Sequence, residues 1–178
     1  MSKHVLILSS SPRINGNSDT LCQQFMKGAV EAKHKVDRVF LGEKTIHYCT
    51  GCGVCNNTGK CVQKDDMKDI LAQMVKADVI VMATPVYFFT MCAQMKTLID
   101  RTAPRYTEIS NKEFYFIATA AVNSKSAMQR TIEDFRGFTS CLSGAKEKGI
   151  VYGTSAWEIG DILSSAAMKQ AFEMGKSL

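Results

Sequence analysis

Val5-Leu6-Ile7-Leu8-Ser9-Ser10-Ser11-Pro12-Arg13-Ile14-Asn15-Gly16-Asn17-Ser18-Asp19-Thr20 passes from an apolar run through a polar turn into a helical pattern. The run is short and bounded by turn residues, which is how a strand buried on both faces reads. The stretch that follows gathers hydroxyls, amides, a glycine and one arginine just before the first helix. A helix N-terminus offers free amides and positive dipole density, a seat for phosphate. Ser9, Ser11, Asn17, Ser18 and Thr20 carry donors for phosphate oxygens, and Arg13 carries the charge. Ser18 as a plain N-cap is the alternative reading. Neither G-x-G-x-x-G nor G-x4-G-K-[ST] occurs here, which excludes the usual dinucleotide and nucleoside triphosphate loops.

Outward from this stretch, strand-like and helix-like patterns alternate. Strands are expected at Val5–Ser9, Val36–Leu41, Val79–Ala83, Phe114–Thr119 and Gly149–Tyr152. Helices are expected over Ser18–Lys33, Asp65–Lys76, Met91–Arg101, Ala127–Leu142 and Ile162–Lys176. Such alternation implies a parallel sheet covered by helices on both faces. Five strands point to a flavodoxin-like α/β three-layer sandwich of strand order 2-1-3-4-5, built as one domain over residues 1–178. In that order a ligand crevice opens where strands 1 and 3 diverge. The third strand runs into Pro85-Val86-Tyr87-Phe88-Phe89-Thr90, whose three consecutive aromatics cannot all face a core. A planar aromatic ligand would stack on them; a subunit contact is the other reading.

Cys49, Cys52, Cys55 and Cys61 fall in a C-x2-C-x2-C-x5-C run within the long second connection. Three closely spaced thiols and a fourth just downstream suit a cubane iron–sulfur cluster. Gly51 and Gly53 allow the positive φ such a loop needs. Structural zinc more often uses two separated C-x2-C knuckles, and a thioredoxin-like pair normally opens a helix. Cys22, Cys92 and Cys141 sit in helical patterns and read as buried hydrophobes. His4 and His34 read as structural, and His47 as a residue that orients the cysteine loop. Asp100-Arg101 reads as a structural ion pair, and Trp157 as an anchor for the last helix, with a cap over a neighbouring subunit's ligand as the alternative. No acid–base pair stands out.

The chain has seven cysteines in a core-rich sequence, against the pattern of a secreted disulfide scaffold. Its apolar N-terminal run is too brief for a signal peptide or membrane span, so a cytoplasmic location is expected. A net charge of +5 is scattered rather than blocked, which argues against a nucleic-acid partner.

Ser9-Ser10-Ser11-Pro12-Arg13, Gly16-Asn17-Ser18, Asp65-Asp66-Met67, Ala77-Asp78, Pro85-Val86-Tyr87-Phe88 and Gln94-Met95-Lys96-Thr97-Leu98-Ile99-Asp100-Arg101 together resemble the NADPH-dependent FMN reductase family. Within it, the cysteine run followed by Asp65-Asp66-Met67 resembles the iron–sulfur flavoproteins. The resemblance implies FMN as cofactor and NAD(P)H as substrate. It implies phosphate contacts from Ser9, Ser11, Arg13, Asn17, Ser18 and Thr20, and ring contacts from Pro85, Val86, Tyr87, Phe88 and Phe89. Ala120-Ala121-Val122-Asn123-Ser124 would close the other side of the ring, though relatives carry glycines there. A 4Fe-4S cluster on the four cysteines, a quinone, flavin or redox-protein acceptor, and a homodimer or homotetramer complete the expectation. A flavodoxin-like electron carrier and a zinc-stabilised binding module are the alternatives.

Overall fold

The computed structural model describes Met1–Leu178. Five parallel strands form the sheet: β1 (His4–Ser9), β2 (Lys35–Phe40), β3 (Val79–Tyr87), and, after a two-residue β4 (Thr90–Met91), β5 (Glu113–Thr119) and β6 (Lys146–Gly153). Their order is β2-β1-β3-β5-β6, with β4 paired antiparallel to the end of β3. The expected flavodoxin-like order is therefore present. The extra strand arises because β3 runs four residues further than expected and turns back on itself.

The helices are α1 (Asn17–Glu31), α2 (Val54–Thr58), α3 (Met67–Lys76), α4 (Ala93–Asp100), α5 (Gln129–Ser140) and α6 (Ala166–Lys176). The short α2 lies inside the cysteine segment, where no helix was expected. Strand residues alternate between two cores. Leu6, Leu8, Ile80, Met82, Phe114 and Phe116 join the cluster under α3, α4 and α5. Val5, Ile7, Val79, Val81, Tyr115 and Ile117 join the one under α1 and α6. A parallel sheet covered on both faces accounts for the near-continuous apolar runs of the sequence. Cys22 and Cys92 are buried as expected, whereas Cys141 is exposed at the end of α5, past its apolar stripe. His4 bonds the Asp37 carboxylate at 2.6 Å, and His34 Nδ1 accepts from the Lys3 amide at 3.0 Å.

α1 and α6 cross through two glycines. A Cβ on Gly28 would stand 2.0 Å from the Phe172 carbonyl oxygen, and one on Gly175 would stand 2.1 Å from that of Phe25. Both obstacles are backbone, so the helices must separate to admit a methyl group. Gly137 in α5 has nothing within 4 Å of its missing Cβ. Gly28→Ala and Gly175→Ala should each lower the unfolding free energy by about 1–3 kcal/mol or more. Gly137→Ala should raise it by about 0.5–1 kcal/mol. Urea unfolding curves of the three variants check the contrast.

Candidate functional site

The carboxyl ends of β1 and β3 are pinned together before they part. The Ser10 hydroxyl and amide both donate to the Ala83 carbonyl, at 2.7 and 3.0 Å. Beyond this point the chain of β1 makes a compact loop. The Ser11 hydroxyl accepts from the Arg13 amide at 3.1 Å, and the Gly16 amide donates to the Arg13 carbonyl at 3.0 Å. A side chain at Gly16 would put a Cβ 2.6 Å from Ser11 Oγ. α1 then begins with no side-chain cap, so its first-turn amides lack intrahelical acceptors. Inside that first turn the Ser18 hydroxyl is buried and has no hydrogen-bond partner. Buried hydroxyls are nearly always bonded, so this one is poised for an acceptor from outside the chain.

On the far side, β3 and β4 close a two-residue hairpin with Phe88 and Phe89 at its tip. Their φ angles are +50° and +65°. Both signs are those of a type I′ turn, which ordinarily carries Asn-Gly. Bulky residues there cost about 1–3 kcal/mol each. Phe88 is 99% exposed, so packing inside the chain does not repay the strain. Strain of this kind gathers where a ligand or partner is held.

Two more loops complete a cavity of about 390 Å³. Thr119 ends β5 and Ala120 and Ala121 follow it; Ala156 and Trp157 follow β6. The segment after β6 is strapped to the first loop. Arg13 Nη1 donates to the Trp157 carbonyl at 3.0 Å, and Asn17 Nδ2 to the Glu158 carbonyl at 2.8 Å. Asn17 Oδ1 accepts from the amides of Gly160 and Ile162, each at 3.3 Å. The Trp157 and Glu158 amides are gathered on Asp161 Oδ2 at 2.9 and 2.7 Å.

The cavity thus brings together Ser11, Arg13, Asn17 and Ser18 with Pro85, Val86, Tyr87 and Phe88. Three expected residues lie elsewhere. The Ser9 hydroxyl donates to the buried Asp19 at 2.8 Å, Thr20 donates to the Asn15 carbonyl at 3.2 Å, and Phe89 faces away from the cavity toward Ser126 and Arg130. Asn17 spends both ends of its amide on the strap. Trp157 was expected to anchor the last helix; it is instead 67% exposed and walls the cavity. Its place after the last strand, at the same end of the sheet as the other loops, was the available signal.

Cys49, Cys52, Cys55 and Cys61 line a second cavity of about 200 Å³, with Arg101 and Pro104 on its opposite wall. Gly51 and Gly53, at φ +66° and +73°, make the bends between the thiols. The thiols are free, and no three metal-ligating side chains are gathered into a ligand set. Both edges of this segment are held by charge. Asp65 accepts from Arg101 Nη1 and Nη2 at 2.7 and 2.9 Å, and from the His47 amide at 3.0 Å. His47 therefore fixes the loop by its backbone. The expected Asp100–Arg101 pair does not form: Asp100 bonds Lys96 and Arg101 pairs with Asp65. Burial alone would raise the Asp65 pKa. The bonds from Arg101 and from the His47 and Met67 amides outweigh it and hold the carboxyl below its usual range.

An open parallel α/β sandwich with a polar loop, an aromatic hairpin and a cavity at the switch point defines a flavodoxin-like ligand-binding protein. The solved structure of an FMN-dependent NADH-azoreductase from Bacillus anthracis, in complex with FMN, has the same fold: TM-score 0.75, 13% identity, 98% of each chain covered. Residues 4–146 match the family model described as NADPH-dependent FMN reductase, and the chain belongs to that family. It is 32% identical over 136 residues to an iron-sulfur flavoprotein of Methanocaldococcus jannaschii, covering 75% of this chain and 70% of that one. It is 40% identical over 94 residues to an iron-sulfur flavoprotein of Archaeoglobus fulgidus, covering 53% of this chain and 43% of the relative. The matched region thus spans less than half of that relative's length.

Two outcomes are expected from this geometry. Replacing the hairpin tip by F88N/F89G should raise the unfolding free energy by about 1–3 kcal/mol, because Asn-Gly adopts these φ angles without strain. Denaturation of the ligand-free protein measures it. Asp65→Asn should cost about 3–5 kcal/mol at neutral pH by leaving Arg101 buried and unpaired. Because the folded Asp65 pKa is depressed, its contribution is present above the unfolded carboxyl value of about 3.9 and is lost as pH falls through the folded value. The gap between wild type and variant should therefore close in acid, which unfolding at stepped pH reads directly.

Proposed function

We propose that the chain is an FMN-dependent oxidoreductase that passes electrons from NAD(P)H to a quinone, flavin or redox-protein acceptor. One observation carries this reading: a buried, unpartnered Ser18 hydroxyl at an uncapped helix start, facing a cavity walled by aromatics. The FMN phosphate is assigned to the first-turn amides of α1 with Ser11, Ser18 and Arg13. Tyr87, Phe88 and Trp157 present flat apolar surface to the ring, and the alanines after β5 leave space for it. When bound, FMN supplies the hydride and electron-transfer chemistry. Arg13 and Tyr87 are the only titratable side chains on the cavity wall. That scarcity suits hydride transfer, which asks no protein group for a proton. A second copy of the chain over the exposed Phe88 and Trp157 would bury these aromatics, in keeping with a homodimer or homotetramer; light scattering measures the assembly.

FMN should quench the fluorescence of Trp157, the only tryptophan, and bind more tightly than FAD, since the chain offers a single phosphate loop. Ser18→Ala and Arg13→Ala each remove a bond to a charged group worth about 1.5–3 kcal/mol, so FMN affinity should fall roughly tenfold or more. Flavin-free stability should hold in Arg13→Ala and hold or rise in Ser18→Ala, which removes an unbonded buried hydroxyl. Anaerobic bleaching of bound FMN by NADH or NADPH tests the activity. Absence of bleaching with either, in protein that binds FMN, would leave an electron carrier.

We further propose that Cys49, Cys52, Cys55 and Cys61 ligate a 4Fe-4S cluster. Four thiols on one cavity and the bends at Gly51 and Gly53 support this, as do the names of the relatives. Each thiolate would take one iron. Anaerobically purified protein should contain iron and sulfide, and single Cys→Ser variants should lose them. Protein that carries FMN yet takes up no iron on reconstitution would refute the cluster.

A further inference from the structure

Arg101 is the largest fully buried side chain of the protein, 2% exposed at the end of α4. Its head reaches both edges of the cysteine segment. Nη1 donates to the His47 carbonyl at 2.5 Å, two residues before Cys49, and to Gln63 Oε1 at 3.2 Å, two residues after Cys61. The fork on Asp65 occupies Nη1 and Nη2 together. Gln63 adds a cross-tie, its Nε2 donating to the Tyr48 carbonyl at 3.0 Å. One guanidinium therefore sets the distance between the two ends of a segment that carries four thiols and little packing of its own.

The third nitrogen is unused. Nε–H is buried and finds no full hydrogen-bond acceptor. Arg101 is also part of the wall of the cavity that the four cysteines line. A pair with Asp65 alone would explain the two terminal nitrogens and not this one. Buried donors left open are rare, and a cationic one is costly. Its natural acceptor is negative and sits in that cavity.

We infer that Arg101 is a positioning residue of the thiol cavity. It clamps residues 47–63 and offers Nε–H, with its charge, to an anionic sulfur-rich group held by the cysteines. The inference rests on the cluster reading for its second half only. Hydrogen bonds and charge beside the sulfurs of a cluster set its reduction potential. Lysine keeps the charge but lacks the planar fork that reaches three partners at once.

The test uses the full chain loaded with FMN: wild type, Arg101→Lys, Arg101→Gln, and Arg101→Gln with Asp65→Asn. The double variant leaves no unpaired buried carboxylate, so it guards against simple unfolding. In metal-free protein, amide exchange over residues 47–63 should speed up tenfold or more in both Gln variants, with α1 amides unchanged. Wild-type exchange over 47–63 in the folded double variant would overturn the clamp. After anaerobic reconstitution with ferrous iron and sulfide, loss of the positive charge disfavours the more negative, reduced state. The potential should fall furthest in the Gln variants and part of the way in Arg101→Lys, which keeps the charge but not Nε–H, while iron is lost faster from all three. Equal potentials in wild type and the Gln variants would overturn the role of Nε–H. Wild-type protein that takes up no iron would remove the cluster reading and that role with it, and the exchange data would still decide the clamp.

Discussion

Two hydrogen bonds from Ser10 to the carbonyl of Ala83 decide where β1 and β3 stop behaving as neighbours. Up to that residue the strands share one ladder, and their side chains belong to the two cores. Past it, the chain of β1 must fold back under Gly16 to start α1, while β3 continues alone into its hairpin. The gap between them exists because no strand fills it. Everything polar in the first loop and everything aromatic in the second is held on opposite sides of this parting. Cys92 lies beneath it, its sulfur 3.1 Å from Ser10 Oγ and its amide donating to Thr84 Oγ1 at 3.0 Å. The parting of the strands is thereby as well bonded as the core, and the cavity walls beyond it are not.

That contrast has an energetic meaning. The strand parting is satisfied, whereas the loops beyond it hold an open helix start, an unbonded buried hydroxyl and a hairpin tip of two phenylalanines at positive φ. Each lowers the stability of the ligand-free chain; a phosphate would bond the helix start and the hydroxyl, and binding of a flat ring against Phe88 would offset the strain of the hairpin. A protein selected for stability alone would place Asn-Gly at the hairpin and a serine or aspartate at the cap. The observed choices make sense together only if a ligand completes the fold.

The sheet order was legible because short continuous apolar runs and helical runs alternate along the chain, and a doubly covered parallel sheet leaves few other topologies. The polar loop and the aromatics were legible for the same reason: topology assigns both to one end of the sheet. What was not legible depends on contacts between distant parts of the chain. Ser9 has the donor chemistry for phosphate, but Asp19, itself a plausible first-turn acid, claims its hydroxyl. Thr20 and Phe89 sit one turn or one hairpin position away from the cavity. Trp157 and Glu158 are held by Arg13 and Asn17 across 144 and 141 residues, which no local pattern encodes. Asp100 and Arg101 are adjacent in sequence, yet the partner of Arg101 lies 36 residues away.

The same remoteness links the two sites. α4 is flanked by its caps, Cys92, bonded to Ser10 at the parting of β1 and β3, and Arg101, in the wall of the cysteine cavity. Eight helical residues span about 12 Å. Met95 and Leu98 are fully buried and pack this short helix against the sheet, so it cannot slide without opening the core. Neither the flavin-type cavity nor the thiol cavity is then positioned by its own loop alone. The residue before the helix is bonded at the strand parting and the residue after it walls the thiol cavity, so the length of a packed helix separates these two points. Loops as irregular as the cysteine segment keep a fixed place in this protein because a rigid element carries the charge to which they are tied.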